Sequence, residues 1–179
     1  LALLLLHAQR PVSVDALIDG VWGDEPPPTA RKTLQVYVSR LRQVLEDDDI
    51  VWARDGYVLH AAPEEIDAAE FERLAAEGGR LLESDPVEAA RLLREASSLW
   101  RGPAWGELAY ERALSRDAAR LQELKVAVLE DHLAAELAAG GASALIGELR
   151  TLVAEHPLRE RLRGLLMVAL YRVGQTADS

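Results

Sequence analysis

The sequence of 179 residues contains no cysteine. This excludes disulfides, thiolate nucleophiles and cysteine-bound zinc, and it favours a reducing cytoplasm as the location of the protein. Long apolar runs are also missing, because the run Leu1–Leu6 stops at His7, far short of the ~20 residues that a membrane span needs. The pattern of a signal peptide does not occur around it. We therefore expect no membrane segment, and we interpret Leu1–Leu6 as the last part of a core helix that begins upstream.

Residue patterns typical of enzymes are scarce as well. The four histidines are scattered, with no pair at the spacing of metal ligands, and no glycine-rich phosphate loop occurs. The acidic pairs Glu64-Glu65 and Glu130-Asp131 fall where solvated helix surfaces are expected. The sequence predicts no catalytic residue, no metal site and no cofactor, so an enzyme is the weakest function class here. Packing in the core, rather than stacking on a ligand, is predicted for Trp22, Trp52 and Trp100.

Negative charge is in excess, with 20 Lys and Arg residues against 30 Asp and Glu residues and a formal net charge of −10. Such a charge opposes DNA binding, which takes much of its affinity from neutralised phosphates. The distribution along the chain is more informative than the total. Residues 1–62 hold 6 basic and 9 acidic side chains, a net charge of −3, yet residues 29–45 contain no acid. The basic residues of this stretch are Arg31, Lys32, Arg40 and Arg42.

The front of the chain predicts three helices followed by a β-hairpin. The second helix is expected to end at Gly23, and the prolines at 26–28 separate it from a third helix at Thr29–Leu45. Two β-rich runs then flank Asp55-Gly56, the strongest short hairpin signal. A hairpin directly after three helices predicts a winged helix-turn-helix, which we assign to residues 1–62.

From Glu64 onward, apolar residues recur at helical spacing. The predicted helices are Ile66–Leu82, Pro86–Trp100, Leu108–Ala139, Ala144–Glu155 and Leu158–Val173. Breaks are predicted at Gly78-Gly79, Asp85-Pro86, 101–103, Gly140-Gly141 and His156-Pro157. An offset of 34 residues, the tetratricopeptide period, aligns Ala135 with Ala169 and Gly140 with Gly174. The fold class is therefore mainly α, with a tetratricopeptide-like all-α domain over 63–179.

The third helix has two faces of different character. Plotted at about 100° per residue, its apolar face comprises Ala30, Leu34, Tyr37, Val38, Leu41, Val44 and Leu45. The opposite face comprises Lys32, Gln35, Val36, Ser39 and Gln43, with Arg31, Arg40 and Arg42 on the shoulders. A helix in the major groove needs this arrangement, with readers of base edges in the centre and phosphate contacts beside them.

We therefore predict a set of DNA-contacting residues. Gln35 can pair with adenine, Lys32 can reach guanine acceptors, and Val36 can meet a thymine methyl. The other predicted contacts are Ser39 on the same face, Arg31, Arg40 and Arg42 for phosphates, and Arg54 at the hairpin tip for the minor groove. The alternatives are a solvated basic face for the helix and an exposed turn arginine for Arg54.

Taken in order, these motifs resemble the Streptomyces antibiotic regulatory protein family, which includes AfsR-type regulators. The motifs that carry the resemblance are Val12–Ile18, Val21–Pro27, Thr33–Arg42, Gly56-Tyr57, Ile66–Ala68 with Glu70-Phe71, Leu99–Gly102 and His156–Glu160. The resemblance implies an OmpR-type winged helix joined to a bacterial transcriptional activator domain of tetratricopeptide-like helices. The small sheet that usually precedes the first helix of such winged helices is absent from this sequence.

The resemblance also implies a mechanism. A regulator of this kind is expected to read repeated half-sites on double-stranded DNA, as a dimer on the DNA. It would activate secondary-metabolism promoters by contacting the RNA polymerase holoenzyme, including its sigma factor. The competing hypothesis is an interaction scaffold, in which the helices bind a peptide and the front domain only dimerises.

Overall fold

Within residues 1–45 and 49–177, which the computed structural model describes, the chain forms eight α-helices and three β-strands. The first elements are α1 (Ala2–Leu6), β1 (Val12–Ser13), α2 (Val14–Trp22), α3 (Ala30–Arg42), β2 (Ile50–Ala53) and β3 (Gly56–Leu59). The later helices are α4 (Asp67–Leu81), α5 (Pro86–Ser98), α6 (Ser115–Ala138), α7 (Ala142–Glu155) and α8 (Glu160–Ala177), with 3₁₀ helices at Pro63–Glu65 and Gly106–Tyr110.

Two compact units make up the chain. The first comprises Leu1–Asp67 and Gly102–Arg120, and the second comprises Ala68–Arg101 and Leu121–Ser179. Segment 102–120 therefore groups with the first unit, although it follows α4 and α5 in sequence. The assignment of domains to 1–62 and 63–179 stays a prediction.

The first unit begins with the three predicted helices. Ser13 caps α2, because its hydroxyl oxygen accepts a hydrogen bond from the Ala16 amide at 3.1 Å. The helix ends at Gly23, as predicted, where φ is +60°. Helices and strands together bury one core, made of Leu4, Val12, Val14, Leu17, Leu34, Val38, Ile50, Tyr57 and Leu59.

Helix α3 is shorter than predicted. It ends at Arg42 rather than Leu45, because the amides of Gln43 and Val44 bond to carbonyls three residues back and tighten the chain into a turn. Val44 is consequently 84% exposed, so its predicted place on the apolar face is wrong. The prediction is also wrong for Tyr37, which is 43% exposed and stacks on Trp22.

The predicted hairpin is confirmed, with its turn shifted by one residue. Ala53 pairs with Gly56, so the turn residues are Arg54 and Asp55. Gly56 is needed for another reason, because a Cβ there would lie 1.9 Å from the carbonyl oxygen of Val12 in β1. Strand β1, too short for a pattern in the sequence, makes the sheet three-stranded and antiparallel in the order β1-β3-β2.

The chain after Asp67 is helical, with two local departures from prediction. Helix α4 continues through Gly78-Gly79 instead of breaking, and a Cβ on Gly78 would lie 2.7 Å from Leu93 Cγ, so glycine permits close packing against α5. One α-helix was predicted to start at Leu108. Leu108 instead belongs to the 3₁₀ helix Gly106–Tyr110, and α6 starts at Ser115. Ala135 and Ala169, the aligned alanines of the 34-residue offset, are both fully buried at 0% exposure.

Ion pairs along α4 and α5 follow the helical spacing. Arg73 donates hydrogen bonds to the carboxylate of Glu70, and Arg91 does the same for Glu88. These bonds hold the pKa of Glu70 and of Glu88 below the usual value. Both pairs lie on the surface, so they contribute little to the free energy of folding.

None of the helices in residues 1–45 and 49–177 combines the length and the apolar character required to cross a bilayer.

Candidate nucleic-acid interface

Helix α3 presents an open face because its apolar residues anchor the opposite side. Ala30, Leu34 and Val38 are 3–5% exposed and hold the helix to the unit. Six of the predicted DNA-contacting residues are exposed on the remaining surface, namely Arg31, Lys32, Gln35, Val36, Ser39 and Arg40. The helix contains basic, amide, hydroxyl and small apolar side chains on this surface and no acid, which suits contact with a polyanion.

Arg31 already has a partner within the protein. Its Nη2 lies 2.7 Å from Oδ1 of Asp15 in the first turn of α2, and the two side chains are 65% and 83% exposed. An exposed ion pair contributes only ~0.2–1 kcal/mol. A phosphate can therefore replace Asp15 at little cost, and the pair keeps the guanidinium at the edge of α3.

Arg42 is placed differently from the other predicted residues. It is half-buried, and its Nε donates a hydrogen bond to the main-chain oxygen of Ile50 at 2.8 Å. Because Ile50 begins β2, this bond joins the last residue of α3 to the first strand of the hairpin. A phosphate contact was predicted for Arg42, and the sequence carries no signal for a contact with the Ile50 carbonyl.

The hairpin turn carries Arg54 at its tip. Both Arg54 and Asp55 are exposed, and Arg54 has φ of +57°, a conformation that non-glycine residues rarely adopt. Arg54 lies at the end of the hairpin, outside the core of the first unit. Asp55 beside it weakens the local positive potential.

Trp52 is a surface residue of the wing that the sequence reasoning missed. It was predicted to lie in the core, yet it is 56% exposed, with its ring edge-on to Tyr57 at 5.1 Å between centroids. Its position explains the exposure, because β2 is an edge strand and Trp52 lies at the end nearer the turn. Trp22 and Trp100 are partly buried and closer to expectation.

In the part of the chain that the structure describes, no group of three His, Cys, Asp or Glu residues could hold a metal ion. Glu130, predicted as a solvated residue, is instead 5% exposed on α6. Arg159 and Arg161 lie 3.9 Å from its carboxylate oxygens, so the burial of this charge is balanced by two cations.

Two family models match nearly the whole chain. The bacterial transcriptional activator domain matches residues 66–179, and the model described as "Transcriptional regulatory protein, C terminal" matches residues 1–59. The winged helix and the helical domain thus each correspond to a known family.

Individual relatives include several regulators from Streptomyces. The chain is 38% identical to the transcriptional regulator RedD of Streptomyces coelicolor, over 99% of this chain and 53% of RedD. It is 35% identical to the regulatory protein DnrI of Streptomyces peucetius, over 99% of this chain and 70% of DnrI. It is 37% identical to the regulatory protein AfsR of Streptomyces griseus, over 100% of this chain and 18% of AfsR.

A solved structure with a similar fold is that of Mycobacterium tuberculosis EmbR in complex with a low-affinity phosphopeptide. The TM-score is 0.90 at 34% sequence identity, over 99% of this chain and 48% of EmbR, which confirms the predicted fold class. The chain spans about half the length of RedD and of EmbR. Both family models and the identity to DnrI lead to one conclusion: the chain belongs to the Streptomyces antibiotic regulatory protein (SARP/AfsR-type) family of transcriptional regulators.

Proposed function

We propose that this chain binds DNA sequence-specifically and activates transcription from promoters of secondary-metabolism genes. The observation that carries the proposal is the exposed face of α3, which is free of acidic side chains and is held outward by a buried apolar face. A wing with an arginine at its tip follows it directly. Family membership supports the same function, since the relatives are named as transcriptional regulators.

The exposed face of α3 divides into base readers and backbone contacts. Gln35 pairs with the N6 and N7 edge of adenine, Lys32 reaches guanine, and Val36 packs on a thymine methyl. Val36 is 45% exposed, so its methyl groups are accessible to a thymine methyl. Ser39 adds a short-range hydrogen bond, and Arg31 and Arg40 contact phosphates at the two shoulders.

Arg54 enters the minor groove next to the major-groove site of α3. Narrow A·T tracts concentrate negative potential there, which attracts a guanidinium without reading individual bases. The neighbouring Asp55 opposes the approach, so the contribution of Arg54 is modest. The wing therefore adds a preference for groove shape to the sequence read by α3.

The partners of the complete regulator are part of the proposal. Two copies bind as a dimer on repeated half-sites, and the protein recruits the RNA polymerase holoenzyme through its sigma factor. Membership of the family supports recruitment, and a regulator of bacterial promoters works in the cytoplasm.

The proposal is tested by selecting duplexes with the 179-residue chain from a randomised pool. The selected duplex is expected to bind at least ~10³-fold more tightly than a scrambled duplex of the same composition. The complex should survive excess poly(dI-dC) in a mobility-shift assay. Equal binding of both duplexes, or complete competition by poly(dI-dC), contradicts the proposal and favours the scaffold hypothesis.

A pair of charge-removing variants locates the interface on the protein. Arg40→Gln is expected to weaken binding to all duplexes and to reduce the salt dependence by about one phosphate contact. Arg80→Gln removes the same charge from an exposed position in the last turn of α4 and is expected to change neither quantity. Equal effects of the two substitutions would place the DNA on a surface other than α3.

A further inference from the structure

We propose that Arg42 is a positioning residue, which fixes the first strand of the wing to the end of the recognition helix α3. This inference rests on the proposed function, because it explains how two DNA-contacting elements keep their spacing. The contact that carries it is the 2.8 Å hydrogen bond from Arg42 Nε to the Ile50 main-chain oxygen. The alternative role of Arg42 is a phosphate contact, which needs the charge but not this bond.

The Ile50 carbonyl is available to Arg42 because of the sheet register. Strand β2 lies at an edge of the sheet and pairs only with β3 among the described strands. The His60 amide donates to the Asp49 carbonyl across the ladder, so the next pair along, Ile50 with Leu59, is a non-hydrogen-bonded pair. The Ile50 carbonyl therefore points away from β3, and Arg42 supplies the donor that the missing neighbour strand would provide.

Both ends of the bond are anchored. Ile50 is 0% exposed and belongs to the core of the first unit. Arg42 follows Val38 by one helical turn, and Val38 is 3% exposed in the same core. A half-buried, charge-assisted bond between such anchored residues is stronger and more directional than a surface contact. It therefore holds the C-terminal turn of α3 against the outer edge of β2.

The side-chain chemistry of Arg42 allows the two roles to be separated. Glutamine carries its amide nitrogen at the same number of bonds from Cα as Nε of arginine, so Arg42→Gln keeps a donor there and removes the charge. Lysine has a methylene at that place and carries its charged donor one bond further, so Arg42→Lys keeps the charge but lacks a donor at the position of Nε. Methionine has a methyl group there, so Arg42→Met removes both.

The first experiment measures how tightly these variants of the 179-residue chain bind the duplex selected with the wild-type chain. Arg42→Met and Arg42→Lys are expected to bind about tenfold more weakly, the effect of losing one charge-assisted hydrogen bond. Arg42→Gln is expected to stay within about threefold of wild type, with an unchanged salt dependence. In hydroxyl-radical footprints, protection at the wing side should weaken in the Met and Lys variants and return in the Gln variant.

The second experiment needs no DNA. Hydrogen exchange of the amides in residues 50–59 is expected to accelerate in Arg42→Met and Arg42→Lys and to return to the wild-type rate in Arg42→Gln. Circular dichroism confirms that each variant is folded. Failure of the wild-type chain to select any duplex contradicts the proposed function, while the exchange rates still test the bond.

Two outcomes would overturn the positioning role. In the first, Arg42→Lys binds like wild type while Arg42→Gln loses affinity and about one unit of salt dependence, which identifies a phosphate contact. In the second, all three variants match wild type in binding, footprint and exchange, which means that the bond positions nothing.

Discussion

Gln35 is the residue that we expect to contribute most to recognition of the DNA sequence. It is exposed in the middle of α3, and its amide offers one donor and one acceptor in the geometry of the adenine edge. We expect Gln35→Ala to weaken binding to the selected duplex by ~1–3 kcal/mol, the worth of one bidentate base contact. Binding to a scrambled duplex should hardly change, because that binding depends on phosphates. Titration of both duplexes by fluorescence anisotropy measures the two affinities.

A matched substitution elsewhere controls for general effects. Gln122→Ala makes the same change at an exposed position of α6 and is expected to alter neither affinity. An equal loss on the selected and the scrambled duplex for Gln35→Ala would exclude a base-reading role.

The exposure of a single residue could be predicted where it depends only on neighbouring positions in the same helix. The helical period alone placed Lys32, Gln35 and Ser39 on an exposed face. The partners of Arg31 and Arg42 were not predictable, because the Asp15 carboxylate and the Ile50 carbonyl come close only after folding. The exposure of Trp52 escaped prediction for a related reason, since it depends on β2 being an edge strand.

At the scale of elements, hydrophobic period and proline or glycine breaks predicted most helices and the hairpin. The period does not distinguish a glycine that ends a helix from one that lets a neighbouring helix approach, as Gly78 does inside α4. Nor does it find β1, whose two residues are positioned by pairing with β3. Tertiary contacts decide both cases.

Gly78 and its neighbour Gly79 give a test of that distinction. Gly78→Ala is expected to lower the free energy of unfolding by ~1–3 kcal/mol, because the added Cβ would press on the buried Leu93. Gly79→Ala meets no atom within 4 Å, so it should raise the free energy of unfolding by ~0.5–1 kcal/mol through helix propensity. Urea denaturation of the two variants measures both changes, and effects of the same sign would contradict the packing role of Gly78.

At the scale of the whole molecule, the first unit includes a segment that lies far along the sequence. Leu114, in segment 102–120, is 3% exposed. We expect Leu114→Ala to cost ~2–5 kcal/mol of unfolding free energy, as for other buried leucines, and to accelerate hydrogen exchange within residues 1–67. Leu108→Ala, at a position that is 47% exposed in the same segment, should cost much less.

Because the first unit includes segment 102–120, it also affects how experiments on fragments are interpreted. A truncation after residue 62 removes segment 102–120 from the first unit, so loss of DNA binding by that fragment would not identify a function of the helical domain. If hydrogen exchange in residues 1–67 is unchanged in Leu114→Ala, segment 102–120 does not stabilise the winged helix. Loss of DNA binding by the fragment would then identify a function of the helical domain.

The charge of the whole molecule predicts how it occupies DNA. Residues 1–62 carry a net charge of −3 within a chain of −10, and five of their six basic residues lie in α3 or at Arg54, so we expect this small group to supply most of the attraction to phosphate. A single copy neutralises few phosphates and should bind a lone half-site weakly. Two half-sites about one helical turn apart place two recognition helices on the same DNA face, where each copy binds better beside its neighbour.

We therefore expect cooperative binding of the full chain to two in-phase half-sites, with about twice the salt dependence of a single site. A duplex in which the second half-site is moved by about half a turn is the control, because the same contacts then lie on opposite faces of the DNA. Anisotropy titrations on the single, in-phase and out-of-phase duplexes at several salt concentrations measure the difference. Tight, non-cooperative binding to the single half-site, or equal cooperativity on both double sites, would show that one copy is sufficient and that the negative charge of the chain does not limit its approach to DNA.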